Sequence, residues 1–186
     1  IKGVVSDTSS KNFLVSGAGG SIGSEIAKQL LEHNPKSIIL FEISELNLFV
    51  IERECQAIKA SKKLSTKIIP ILGDIRDRNN LTNIFTKFSI NHVYHAAAYK
   101  HVPLVEDENN IVKAAENNIL GTFNLADISI KHNIESFVMI STDKAVRPSN
   151  VMGASKRMAE MLIQSLNNLQ PETKFSMVRF GNVINS

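Results

Sequence analysis

Short apolar runs alternate along the chain with longer stretches whose apolar residues recur every three or four positions. Phe13–Ser16, Ile38–Phe41, Ile68–Leu72, Val93–His95, Phe137–Ser141 and Phe175–Phe180 are the runs, and short runs bounded by turn residues predict buried strands. The periodic stretches predict helices. One opens after a glycine turn and runs through Ile22, Ile26 and Leu30; the next is capped by Ser44 and carries Leu46, Val50 and Ile51 on one face. Further helices are expected over Leu81–Phe88, Val112–Ile130 and Gly153–Leu166, with loops at Pro103 and Pro148 before the last two. Strands separated by helices give βαβ crossovers, so the fold expected is α/β, a doubly wound parallel sheet with helices on both faces. Covering both faces also explains why the strands are continuously apolar.

Composition narrows this only a little. At 186 residues, with 43% hydrophobic and 21% charged residues, the chain reads as one globular domain over 12–186 behind a polar leader over 1–11. A formal charge of +3, without a basic run interleaved with aromatics, gives no support to nucleic-acid binding. The single cysteine, Cys55, has no CxxC partner and fits a cytoplasmic protein, packed or at the surface of a helix. The five histidines, at 33, 92, 95, 101 and 132, have no matching carboxylate or cysteine set, so no metal site is expected. Nothing reads as a membrane span or signal peptide. Both ends look cut from a longer protein.

Chemistry enters at the end of the first run, in Ser16-Gly17-Ala18-Gly19-Gly20-Ser21-Ile22-Gly23. A pyrophosphate needs close backbone N–H donors and the positive end of a helix dipole. Gly17 and Gly20 permit the turn, Ser21 and Ile22 open the helix, and Gly23 allows close packing of helix on strand. The pattern is short, but its strand–turn–helix context makes it a Rossmann-type phosphate turn. Glu42 ends the second run, 19 residues after Gly23, where a carboxylate accepts from the adenosine ribose hydroxyls. Its charge and the lack of an adjacent Arg favour NAD over NADP. Asp74 and Ile75 end the third run, where adenine would lie, and Ala96, Ala97 and Ala98 end the fourth, where small side chains let a cofactor pass.

Longer segments carry a resemblance. The glycine turn, Asn118 and Lys156 resemble the extended short-chain dehydrogenases/reductases. HAAAYKHVPLVE (95–106), STDKAVRPSNVMGASK (141–156) and VRFGNV (178–183) resemble, within them, the bacterial polysaccharide-biosynthesis group of UDP-N-acetylglucosamine 4,6-dehydratases. The superfamily's catalytic pair is Tyr-x-x-x-Lys, two side chains on one helix face. Here Met152 occupies the tyrosine position four before Lys156, and a thioether has no proton to exchange. That departure matches the retaining branch of these dehydratases.

The resemblance implies oxidation of the sugar at C4, loss of water across C5 and C6, and reduction at C6, with NAD regenerated in each turnover. Asp143 would be the acid for the departing C6 oxygen, with its carboxyl raised by desolvation. Lys144 would be the C5 base, helped by the positive nicotinamide and Lys156. Thr142 would hydrogen-bond O4, and Lys156 would hold the nicotinamide ribose. The O4 proton is left to Thr142 with a water, or to Asp143. Asn118 would hold a helix distortion and a water near the site. Lys100 and His101, which follow the alanine run, could reach substrate phosphate or sugar, although a lone His is more often structural, and the resemblance implies that Asn182 binds substrate. The family also implies a carboxyl-terminal substrate portion beyond this chain, homo-oligomers formed through the two long helices, and membrane anchors preceding some members. This length alone is therefore expected to bind NAD but turn over a UDP-sugar poorly. The alternatives are a nucleotide-sugar 4-epimerase, which Met152 disfavours, and a non-catalytic NAD-binding module or scaffold, which the intact Thr142, Asp143, Lys144 and Lys156 disfavour.

Overall fold

The computed structural model describes residues 8–170 and 172–181. Among these residues six strands, β1 (Asn12–Ser16), β2 (Ser37–Glu42), β3 (Lys67–Leu72), β4 (His92–His95), β5 (Ser136–Thr142) and β6 (Lys174–Phe180), form one parallel sheet. Their order is β3-β2-β1-β4-β5-β6. The crossovers carry α1 (Ser21–Glu32), α2 (Glu45–Lys62), α3 (Arg78–Phe88), α4 (Val102–Val105), α5 (Ile111–Ala115), α6 (Thr122–Lys131) and α7 (Val151–Leu169). This is the Rossmann-type doubly wound arrangement. The direction of winding reverses between β1 and β4, and the crevice at their carboxyl ends is where such sheets bind ligands.

Successive residues of β1 and β2 serve two different cores. Phe13, Val15, Ile38 and Leu40 pack with Leu30 and Leu31 of α1 and Ile51 and Cys55 of α2. Leu14, Ile39 and Phe41 face the other way, onto Phe85 of α3, Leu125 of α6 and Ile163 of α7. Apolar side chains are thus needed at consecutive positions, which is why these strands read as unbroken runs. Full burial of each such side chain contributes about 1.5–3 kcal/mol.

Four local expectations are corrected. The buried face of α2 is Leu48, Ile51 and Cys55, whereas Leu46 and Val50 are exposed. The helix carries apolar residues on more than one side, and only contact with the sheet selects which are covered. The edge strand β3 is only partly covered, with Leu72 exposed. The long helix expected over 112–130 is interrupted by a π-helical turn, Glu116–Gly121. There the Thr122 hydroxyl donates to the Asn118 carbonyl at 2.7 Å, and Gly121 lies flush against Ile75, where a Cβ would come within 2.5 Å of the Ile75 side chain. The proline loop after β4 also contains a turn of helix, α4, which begins with Val102-Pro103.

Candidate functional site

The turn after β1 is shaped by contacts that leave no room for side chains. Gly17 has φ +66°, and its N–H donates to Phe41 O at 2.9 Å. A Cβ on Gly17 would lie 2.6 Å from Ala97 N. Gly20 N–H returns to Gly17 O at 3.1 Å, and Gly20 begins α1 without a side-chain cap. By contrast, Ser44, Asp77 and Asn150 use their own side chains to cap α2, α3 and α7. The first turn of α1, at Ser21, Ile22 and Gly23, is therefore left open to an anion, which its dipole favours. Gly23 sets the approach of helix to turn, because a Cβ there would lie 2.0 Å from Gly17 O. Gly23→Ala must push α1 away from the turn, and we expect it to weaken dinucleotide binding at least tenfold, roughly 1.4 kcal/mol. Calorimetric titration with NAD checks this; unchanged affinity would show that the turn does not hold the phosphates.

Two cavities adjoin along the carboxyl edge of the sheet. One, of about 240 Å³, is walled by Gly17 and Gly20, by Glu42 at the end of β2, by Gly73, Asp74 and Ile75 after β3, and by the alanines after β4. The other, of about 280 Å³, is walled by Ile22, Lys100, Thr142, Lys144, Met152 and Lys156, among others. Ala96, Ala98 and Tyr99 line both, so the crevice runs past the alanine segment without a bulky side chain from those alanines in the way.

In the first cavity the carboxylates are already engaged. Buried Glu42 accepts from Gly19 N through one oxygen and from Ile43 N and Ser44 N through the other, each at 3.0 Å. It thereby ties the glycine turn to the end of β2. Asp74 accepts from the backbone and guanidinium of Arg76. The Arg76 hydrogen bonds hold the Asp74 carboxyl below the usual carboxylate range.

The second cavity gathers the residues on β5 and α7. Lys156 is buried, and its ammonium donates to Ile140 O at 2.7 Å. Burial lowers it to about 8, against an opposing pull from Glu160. Met152, one turn earlier on α7, is also buried and lines the same space. Thr142 and Lys144 line it as well, but Asp143 does not. The Asp143 carboxyl is exposed, 3.8 Å from the Lys144 ammonium. Contrary to the raised value expected for an acid, the hydrogen bond from Thr142, with the charge of Lys144, holds it below the ordinary range. The physical reason is solvent: the expected upward shift required desolvation, and in this chain water reaches the carboxyl.

A buried polar network joins the walls of the crevice. Asn118, in the π turn, accepts from Tyr99 N at 2.8 Å and donates to Tyr99 O at 3.1 Å and Ser155 Oγ at 3.0 Å. It therefore fixes the loop after β4 against α7 rather than lining either cavity. His95 is fully buried, with Ser16 Oγ 2.7 Å from Nδ1 and Thr122 Oγ1 2.8 Å from Nε2. Thr122 gives its one hydroxyl proton to Asn118 O, so Nε2 must be the donor to Thr122 and Nδ1 the acceptor from Ser16. Burial, reinforced by the charge of Lys156, pushes His95 down to about 3, so the ring is neutral. Behind Lys156, the buried carboxylate of Glu160 accepts from Ser141 Oγ, Arg157 and Arg179 at 2.7–3.0 Å. Burial would raise Glu160, but the hydrogen bonds from Arg179, Ser141 and Arg157 outweigh it and bring it down to about 2.

The structure thus brings together Gly17, Gly20, Glu42, Asp74, Ile75 and Ala96–Ala98 on one side, and Ile22, Lys100, His101, Thr142, Lys144 and Lys156 on the other. Ser21 and Gly23 stand at the head of α1 without lining either cavity, and Asn182 lies outside the described residues. Sequence reasoning missed Tyr99 as a shared wall, Arg76 on Asp74, and the cluster around Glu160. Local signals existed in the position of Glu160 one helical turn after Lys156, of Arg76 two residues after Asp74, and of Tyr99 directly after the alanine run.

A family model described as polysaccharide biosynthesis protein matches residues 13–186. The capsular polysaccharide biosynthesis protein CapD of Staphylococcus aureus is 47% identical over 97% of this chain and 29% of its own length. The inverting UDP-N-acetylglucosamine 4,6-dehydratase of Campylobacter jejuni (strain 81-176) is 35% identical over 95% of this chain and 50% of its own. Among solved structures, Pen from Bacillus thuringiensis superimposes with a TM-score of 0.81 at 34% identity, covering 95% of this chain and 52% of that one. The chain therefore spans about half, or less, of the length of these relatives.

Proposed function

The chain belongs to the polysaccharide biosynthesis protein family, and from that premise we propose that it is the NAD-binding part of a nucleotide-sugar 4,6-dehydratase acting on UDP-N-acetylglucosamine. The observation that carries the reading is the continuous crevice, with an uncapped glycine turn in one half and Thr142, Lys144 and Lys156 in the other. The cradle fits a dinucleotide, since a Cβ at Gly17 or Gly23 would fill the turn or displace its neighbours. Glu42, with no basic residue in Glu42-Ile43-Ser44-Glu45, repels a 2′-phosphate and favours NAD over NADP. Asp74 lies where it can accept from the adenine amino group. When bound, NAD supplies the two-electron acceptor for C4 and the donor for C6.

The chain's own residues do the proton chemistry. Lys144 takes the C5 proton. Asp143, hydrogen-bonded to Thr142, takes up the proton released from O4 as C4 is oxidised and passes it to the departing C6 oxygen, which leaves as water, once bound sugar, and the rest of the enzyme, displace the water around its carboxyl. Thr142 hydrogen-bonds O4, and Lys156 holds the nicotinamide ribose and adds positive potential. Lys100 and Asn182 contact the substrate. Met152 in the tyrosine position supports the branch that retains C5 configuration. The protein acts as a homo-oligomer, a reading supported by Leu120, Phe123, Met158 and Met161, apolar residues exposed on the two long helical segments. Among the described residues no helix is long and apolar enough to cross a membrane.

Incubating the full-length enzyme with UDP-N-acetylglucosamine should give a 4-keto-6-deoxy product by NMR, whereas a C4 epimer as the sole product would overturn the reading. In the same assay Lys144→Ala should lower kcat by about 10²–10⁴, the usual contribution of a positioned general base. Full turnover by that variant would remove Lys144 as the base.

A further inference from the structure

Asp74 has no freedom to choose its partners. Its Oδ1 accepts from Arg76 N at 2.8 Å and from Arg76 Nε at 3.0 Å; its Oδ2 accepts from Nε at 2.8 Å and from Nη2 at 2.5 Å. Three donors, one of them shared, fall on a group with roughly four lone-pair sites. Because the Nε proton is divided between the two oxygens, three protons serve four sites and the carboxylate can take one more N–H, on a residue that also walls the 240 Å³ cavity. Arg76 is held in turn. Its carbonyl accepts from Asn124 Nδ2 at 3.2 Å, and its Nη1 lies 3.8 Å from Glu116 at the start of the π turn. Arg76 does not line that cavity, although it is bonded to a residue that does.

We propose that Arg76 is a positioning residue that turns Asp74 into a fixed acceptor for a single N–H, and so makes this half of the crevice selective for adenine over a purine bearing oxygen at position 6. This rests on the reading of the crevice as a dinucleotide site with adenine beside Asp74. Adenine offers an amino N–H at that position. Hypoxanthine offers a carbonyl oxygen, which would meet the anionic carboxylate with no proton between them. Without Arg76 the Asp74 side chain can rotate and hydrate, so the penalty for hypoxanthine relaxes while the amino contact is lost. Arg76 touches neither base nor phosphate; it acts through Asp74.

The test is a comparison of two ligands on one protein: NAD and nicotinamide hypoxanthine dinucleotide, each titrated calorimetrically into this chain and its variants. The unaltered chain should prefer NAD by about tenfold or more, as a hydrogen bond to a charged group warrants. Arg76→Gln should bring that preference down to about twofold, mostly through weaker NAD binding. Asp74→Asn, which can present an amide N–H to the 6-oxygen, should shift the preference towards the hypoxanthine ligand. A merely structural role for Arg76 would weaken both ligands equally and leave the ratio unchanged, which would overturn the proposal. Equal binding by the unaltered chain would also overturn it, with the dinucleotide reading intact. Binding of neither ligand would overturn the dinucleotide reading and the proposal together.

Discussion

Replacing Glu160 with alanine should lower the unfolding free energy of this chain by about 3 kcal/mol, at the lower end of the cost of breaking a buried ion pair. Glu160 is fully buried on α7, and its two oxygens receive Ser141, Arg157 and Arg179. Removing it leaves two guanidinium groups and a buried hydroxyl without their acceptor. The lower end applies because the side chains of Arg157 and Arg179 are 37% and 38% exposed, so water can re-solvate them in part. Glu160→Gln keeps an acceptor for Ser141 and should cost less. Replacing Glu160 and Arg179 together by leucine should recover part of the loss, since the Arg179 guanidinium is no longer left without its acceptor. Urea denaturation of the four proteins measures this. A loss below about 1 kcal/mol for Glu160→Ala would place the cluster among ordinary surface pairs. The functional consequence is positional. Ser141 precedes Thr142 on β5, and Glu160 follows Lys156 by one turn of α7, so this anion holds together the two elements that carry the second half of the crevice.

Acidification supplies the second large effect. His95 is neutral when folded and binds a proton only below about 3, whereas the unfolded chain takes one up near 6.5. Between those values the unfolded state binds more protons, so stability falls as pH drops, by an amount of the order of 4 kcal/mol across the whole window. Glu160, lowered from 4.5 to about 2, adds a further loss as pH falls through its own, more acidic window. The two can be separated because, of the pair, His95 alone acts between pH 6.5 and 4.5; His92, also lowered by burial, adds to the fall there and is the same in both proteins compared below. His95→Gln keeps an acceptor for Ser16 and a donor for Thr122 but cannot titrate. Its stability should be flatter than that of the unaltered chain from pH 6.5 downwards, in denaturation curves taken at half-unit steps. Parallel pH profiles for the two proteins would show that the ring is not held neutral by this network. Because His95 also links Ser16, before the glycine turn, to the π turn, its protonation should loosen both walls of the crevice.

Much of this protein is legible without coordinates, and the parts that are share one physical property. Strand and helix periods, the glycine turn at Gly17–Gly23, and Glu42, Asp74 and Thr142 at strand ends all depend on residues close in the chain. A period of two or 3.6 fixes which way a side chain leaves its own backbone, and a parallel βαβ order then puts every strand's carboxyl end on one edge. So the sequence by itself determined the fold class, the glycine turn after the first strand and the edge on which the strands' carboxyl ends lie. It did not determine which side chains on that edge hold one another. Ser16 meets His95 across 79 positions, and Glu160 meets Arg179 across 19, because β1 adjoins β4 and α7 packs beside β6. The helix distortion that the resemblance implied at Asn118 takes its form in the same way, from a carbonyl claimed by Thr122 and a side chain claimed by the loop after β4. Asp143 turned out lowered rather than raised because the hydrogen bond from Thr142 and the charge of Lys144 act on a carboxyl that the assembled surface leaves open to water, so the desolvation that would have raised it is missing.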